Sequence, residues 1–190
     1  VYNVGLPAID LIVAGNFAAP SQLREKYGLS LNKSIIIFTQ HSVTTEFERA
    51  GEQVLPALEA LKILGAEECQ VIVTYPNNDA GGRRIIAEIE KLRKERVNHI
   101  QIHQSLGRYD YHGMLNLCGR VVRGVCIGNS SSGIKETPSF GCPVVNIGPR
   151  QRGRLRGDNV IDVGYDRNEI VGAARRALND ENFRTQCKNC

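Results

Sequence analysis

Residues 34–39 read SIIIFT, and residues 40–46 behind them read QHSVTTE. The first stretch is a run of β-branched and aromatic residues without polar alternation. That is the pattern of a strand covered on both faces, as in a parallel sheet between two layers of helices. The second stretch lies where a sheet of this kind keeps its chemistry, because ligands bind outside the carboxyl ends of its strands. Outward from this point the apolar pattern recurs at residues 70–75 (QVIVTY), 99–103 (HIQIH), 124–128 (GVCIG), 143–147 (PVVNI) and 160–163. Helical spacing fills the gaps. Residues 44–64 carry Phe47, Val54, Leu58, Leu61 and Ile63, and residues 83–96 carry Ile85, Ile86, Ile89 and Leu92; residues 109–117 and 170–178 are shorter. Strands alternating with helices predict an α/β fold with a doubly wound parallel sheet and helices on both faces. Before the first core strand, residues 1–5 (VYNVG) read as a short strand, and residues 7–14 and 21–27 as short helices.

Nothing divides residues 1–190, so one domain is expected. Hydrophobic residues make up 42% and charged residues 23%, which argues against disorder. No apolar run approaches the ~20 residues of a membrane span, and no signal segment follows Val1, so no membrane partner and a cytoplasmic location are expected. A net charge of +4 suits a small anionic ligand. It is too mild for a nucleic-acid binder, and there is no Trp to build a stacking platform. Of six cysteines, Cys126 and Cys142 adjoin apolar runs and read as buried, reduced thiols of a cytosolic protein. Cys187 and Cys190 form a lone C-x-x-C with no second ligand pair, so no metal is expected.

The loops after the strands carry more polar chemistry than turns require. Residues 128–136 (GNSSSGIKE) combine a glycine–serine turn with a following helix pattern, offering N–H and hydroxyl donors to a phosphate. Glu136 could accept from a sugar diol there. Equally, the stretch could be a serine cap with a carboxylate favoured near a helix start. It is not a Walker A loop, since Ile134 stands where that motif needs Lys, and no G-x-G-x-x-G follows any strand. No cofactor is therefore expected. His41 could donate to a phosphate oxygen or move a proton, or simply cap its loop. His99 and His103 share one face of their strand in this reading. Among Arg150, Arg152, Arg154 and Arg156, Arg150 follows the strand turn directly and is the phosphate candidate.

Taken in order, QHSVTTE, YPNNDAGG, GNSSSGIKE, FGCPVVNIGPRQRGR and GDNVIDV resemble the hydrolysing UDP-N-acetylglucosamine 2-epimerases, from residue 1 to about residue 178. Non-hydrolysing relatives carry an H-R-R-E-N type loop in place of QHSVTTE and a D-S-G-G type loop in place of GNSSSG. The resemblance implies a Rossmann-like domain, one half of a two-domain GT-B-like architecture. It also implies that the first domain with its catalytic carboxylates, and a closing C-terminal helix, are absent from these residues. By matching position, His41 would contact the diphosphate and assist its departure, and Arg150 would neutralise it. Asn77 would lie near uracil, Ser130 and Ser131 would hold phosphate and ribose oxygens, and Glu136 would bind the ribose hydroxyls. The implied reaction eliminates UDP from UDP-N-acetylglucosamine to leave a 2-acetamidoglucal, then adds water to give N-acetylmannosamine for sialic-acid-type sugars. Partners implied are UDP, the missing domain and further copies of the full-length chain. The competing readings are a UDP-diacetamido-trideoxy hexose as substrate, a non-catalytic nucleotide-binding module, or an arginine loop bound to nucleic acid.

Overall fold

The structure, a computed structural model, describes residue 2 and residues 5–190. The strand expected at residues 1–5 falls largely outside the described residues. Six strands are β1 (Ile35–Thr39), β2 (Gln70–Thr74), β3 (Ile100–His103), β4 (Gly124–Gly128), β5 (Val144–Ile147) and β6 (Val160–Val163). The helices are α1 (Pro7–Val13), α2 (Pro20–Tyr27), α3 (Ala50–Ala66), α4 (Gly82–Glu95), α5 (Gly107–Asn116), α6 (Ser132–Lys135), α7 (Arg167–Asn179) and α8 (Glu181–Lys188). All strand pairs are parallel, in the order β3-β2-β1-β4-β5-β6. This is the doubly wound order, and it reverses direction between β1 and β4.

The two-sided burial follows from the strand period of two. Ile36, Phe38, Val71, Val73, Val125 and Ile127 face α3, α4 and α7. Ile35, Ile37, Ile72 and Cys126 face the layer of α2 and α5. Every residue of β1 and β4 is buried, so neither strand has room for polar alternation. At Gly128 (φ +133) a Cβ would lie 1.9 Å from the Thr39 carbonyl oxygen. Only glycine lets the ends of β1 and β4 come this close before their loops part.

Three sequence expectations need correction. The helix expected over residues 44–64 is two pieces: a 3₁₀ stretch over Thr44–Arg49, then α3. Glu46 leaves helical geometry (φ −130, ψ 23), its carboxylate accepting from the Gln53 amide, and Phe47 faces solvent at 41% exposure. His99 precedes β3 in a left-handed conformation (φ +66), so it shares no strand face with His103. The His103 ring packs edge-on against Tyr27, centroids 5.2 Å apart. Finally, α8 continues the chain beyond the anticipated elements. Asp180 starts it by accepting from the N–H groups of Asn182 (3.0 Å) and Phe183 (3.1 Å). It buries Cys187 while Cys190 stays exposed, and all six cysteines are free thiols. Among the described residues, no helix is long and apolar enough to cross a membrane, and no group of His, Cys, Asp and Glu is placed to hold a metal ion.

Candidate functional site

The reversal between β1 and β4 opens a crevice where their two loops diverge. Asn129, almost wholly buried, ties the loops together: its Oδ1 accepts from the His41 N–H at 2.7 Å and its Nδ2 donates to the His41 carbonyl at 2.8 Å. This clasp fixes where the His41 side chain starts. The ring is then fixed by the loop after β2, whose Asn77 N–H donates to His41 Nδ1 at 3.0 Å. An accepting Nδ1 leaves the ring proton on Nε2. Burial and the neighbouring Arg150 charge push the His41 pKa down to about 4, with Asp79 pulling the other way. His41 is thus a neutral imidazole at pH 7 that offers one N–H.

A cleft of about 410 Å³ lies over this point, lined by Thr39, His41, Thr74, Ser130, Ser132 and Glu136 among others. The serines chain together. Ser130 Oγ is 2.9 Å from Ser132 Oγ, which is 2.6 Å from the Tyr111 hydroxyl on α5. Within the described residues, the N–H groups of Ser130 and Ser131 have no partner, so two donors remain for a ligand anion. The helix opened by this turn is only four residues long, too short to contribute much dipole. What the turn offers an anion is donors placed one by one rather than a helix terminus.

Glu136 ends the α6 turn. Its Oε2 accepts from His112 Nε2 at 3.1 Å, and 18% of its side chain is exposed. His112 is only 1% exposed, its Nδ1 has no partner, and its ring packs 6.0 Å from that of Phe140. A carboxylate wants a donor, so Nε2 carries a proton toward Glu136, while Nδ1 has no partner.

Arg150 is a brace across three loops. Its Nε donates to the Ser42 carbonyl (3.3 Å), Nη1 to the Asn129 carbonyl (3.2 Å) and Nη2 to Asp79 Oδ2 (3.2 Å). Asp79 is held well within its ionised range by Asn77 Nδ2, then by Arg150. His41, Ser130 and Glu136 therefore share one cleft, with Arg150 beside His41. The Asn77 side chain instead binds Asp79 and lines a neighbouring hollow with Phe47; only its backbone reaches His41. Ser132, not Ser131, supplies the second hydroxyl of the cleft wall.

Sequence reading missed Asn129, Asp79, Tyr111, Ser132 and His112. Asn129 and Asp79 stood inside quoted loops and could have been found as polar residues after strands. Nothing local marks His112, whose partner is 24 residues away. A larger hollow of about 910 Å³ beside β6, walled by Arg152, Arg156, Tyr165 and Arg176, holds none of the expected residues. Volume alone does not select the site; the strand reversal does.

A model of the UDP-N-acetylglucosamine 2-epimerase family matches residues 1–190. The UDP-N,N'-diacetylbacillosamine 2-epimerase (hydrolyzing) of Legionella pneumophila is 33% identical over 181 residues, 94% of this chain and 45% of that protein. The UDP-N-acetylglucosamine 2-epimerase of Neisseria meningitidis is 29% identical over 178 residues, 93% of this chain and 44% of that protein. The chain thus spans less than half the length of these curated relatives. Among solved structures, the UDP-GlcNAc 2-epimerase of Methanocaldococcus jannaschii, in complex with UDP-GlcNAc and UDP, superposes with a TM-score of 0.62 at 13% identity, over 90% of this chain and 45% of that one. At that identity the likeness is one of fold.

Proposed function

Because the chain belongs to the UDP-N-acetylglucosamine 2-epimerase family, we propose that it is the UDP-binding domain of a hydrolysing 2-epimerase. One observation carries the reading. A neutral imidazole with its N–H free, a serine turn whose Ser130 lines the cleft and whose Ser130 and Ser131 N–H groups are unpartnered, and a histidine-held carboxylate meet at the strand reversal. The first three donors suit a diphosphate and the carboxylate suits a ribose diol.

In this reading Glu136 binds the ribose hydroxyls, Ser130 and Ser131 hold phosphate and ribose oxygens, and the Asn77 loop borders the uracil. UDP leaves from C1 of UDP-N-acetylglucosamine as a proton leaves C2, giving 2-acetamidoglucal. Water then adds across that double bond, hydroxyl to C1 and proton to C2, to give N-acetylmannosamine for sialic-acid-type sugars. His41 Nε2–H and the Arg150 charge stabilise the diphosphate as negative charge builds on it. The carboxylates that move the C2 proton belong to a domain outside these 190 residues, and the full-length protein assembles from several copies. Cytoplasmic residence fits five buried free thiols. A second substrate, a UDP-diacetamido-trideoxy hexose, is supported by the likeness to the Legionella protein, 33% identical. The sugar would lie against the other domain, so the two readings share this site.

Titration of the chain with UDP, uridine and pyrophosphate tests the assignment. Glu136→Ala should weaken UDP and uridine by similar factors, about 1.5–3 kcal/mol for a charge-assisted pair, and spare pyrophosphate. Equal loss for pyrophosphate would sink the ribose role. Supplying both UDP sugars to the full-length protein and identifying the released sugar separates the two substrates.

A further inference from the structure

The α6 turn is too short to fix the side chain that follows it. It has four residues, and the side chain of Glu136, which follows them as the cap, turns about three rotatable bonds. The Thr137 hydroxyl ties the backbone of the turn at the Gly133 carbonyl (2.6 Å), and α5 holds its side chains. Adjacent residues of that helix grip both ends of the turn: Tyr111 meets Ser132 through its hydroxyl at 2.6 Å, and His112 meets Glu136 through Nε2 at 3.1 Å. The next residue, Gly113, fixes the register of α5. A Cβ there would lie 2.5 Å from the Ala18 carbonyl oxygen, so the helix is seated hard against the segment between α1 and α2. His112 is therefore a buried donor on a backbone that cannot drift, aimed at a carboxylate that otherwise could.

We propose that His112 is a positioning residue that presents the Glu136 carboxylate to the ribose of a bound nucleoside diphosphate. The proposal rests on the ribose role of Glu136 proposed above. A carboxylate that binds a cis-diol must offer both oxygens in one plane and one orientation. The His112 N–H occupies one lone pair of Oε2 and sets that plane, leaving Oε1 and the second lone pair of Oε2 to the two hydroxyls. The side chain is then ordered before the ligand arrives, and the ordering cost falls on folding rather than on binding. The unpartnered Nδ1 is what this arrangement leaves behind. It is a buried ring nitrogen with no partner, tolerated because the other nitrogen is committed to Glu136.

The test compares UDP with 2′,3′-dideoxy-UDP, titrated into the full chain by calorimetry. Wild type should prefer UDP by tenfold or more. His112→Leu should cut that preference at least fivefold and leave pyrophosphate affinity unchanged. His112→Gln, which puts an amide N–H near the position of Nε2, should restore most of it. A merely structural histidine would lower stability in both variants and leave the preference intact, which overturns the proposal alone. A wild-type preference near one overturns the ribose role of Glu136 and the proposal with it. Should His112→Leu fail to fold, the ring nitrogens of wild-type His112 answer by NMR. The proposal expects the Nε2–H tautomer and a shift of that proton on adding UDP. An Nδ1–H tautomer, or an Nε2 proton unmoved by saturating UDP, overturns it.

Discussion

Two arginines finish opposite ends of the same central strands, and they do different work. Arg184 on α8 sits under the amino end of β4, only 8% exposed. Its Nη1 donates to the carbonyls of Gly124 (3.2 Å) and Ala177 (3.1 Å), and its Nη2 to those of Cys118 and Val122 (both 3.4 Å). Cys118 lies in the π-helical turn that extends α5, Val122 caps that turn, and Ala177 lies in the last turn of α7. The charge is thus met by the negative ends of two helices in place of a carboxylate. Arg150, beyond the carboxyl ends of β1 and β4, has two carbonyls and Asp79 as partners and keeps 22% of its side chain exposed. The first charge is consumed by structure. The second is partly shared, and its surplus acts on His41, whose pKa it helps push down to about 4. One end of the sheet is closed, and the other keeps a partly exposed cation beside the cleft.

The largest effect expected from this contrast is on stability. Arg184→Met strips the donor from four carbonyls and should cost about 3–5 kcal/mol, the range of a broken buried network. At ~2–4 °C per kcal/mol for a chain of this size, the thermal midpoint should fall by roughly 6–20 °C. UDP affinity of the folded fraction should not change. A drop of only a degree or two would mean that packing, not the four carbonyls, seats α8.

Arg150→Ala should show the reverse balance. UDP affinity should fall roughly 10–100-fold, the scale of one charge-assisted bond, with a smaller loss of midpoint than at Arg184. The His41 pKa should also rise from about 4 toward its ordinary value, which NMR titration of the ring would read. Unchanged UDP affinity would make Arg150 a second Arg184, a brace with no ligand role.

The smallest effect is a pH dependence. His41 has a folded pKa of about 4 against 6.5 unfolded, so the unfolded chain takes up a proton first as the solution is acidified. The stability tied to its neutral ring is fully present above pH 6.5 and is lost as pH falls from there toward 4. Urea unfolding at pH 7.5 and pH 5 should show wild type losing more stability than His41→Gln across that interval. Parallel losses would mean that His41 titrates normally and is not held as described.

The fold was legible because its signals are short-range. The all-apolar run of β1 and the helical spacing of α4 and α7 each lie within one element, and the parallel sheet follows from their alternation. Where the local signal was mixed, the reading slipped. Thr44–Arg49 has helix-compatible residues but leaves helical geometry at Glu46, and the segment after Leu178 is polar enough to hide a helix that only its Asp180 cap marks. The site was legible only as a set of loops. His41, Ser130, Glu136 and Arg150 could be picked because polar and glycine-rich residues follow buried strands, and the family resemblance gave them roles.

The sequence by itself therefore determined the doubly wound sheet, the strand ends that carry the polar loops, and membership of the epimerase family. It did so because strand and helix periodicity, and the turn chemistry behind each strand, are written in neighbouring residues. Only the tertiary structure decided which nitrogen of His41 carries the proton, which serine joins the cleft, and what orients Glu136. Those outcomes depend on Asn77, Tyr111 and His112, partners 36, 21 and 24 residues away along the chain. A hydrogen bond has a reach of about 3 Å and a preferred direction, so it can be assigned only once the packing of α5 and the loops has brought both ends together.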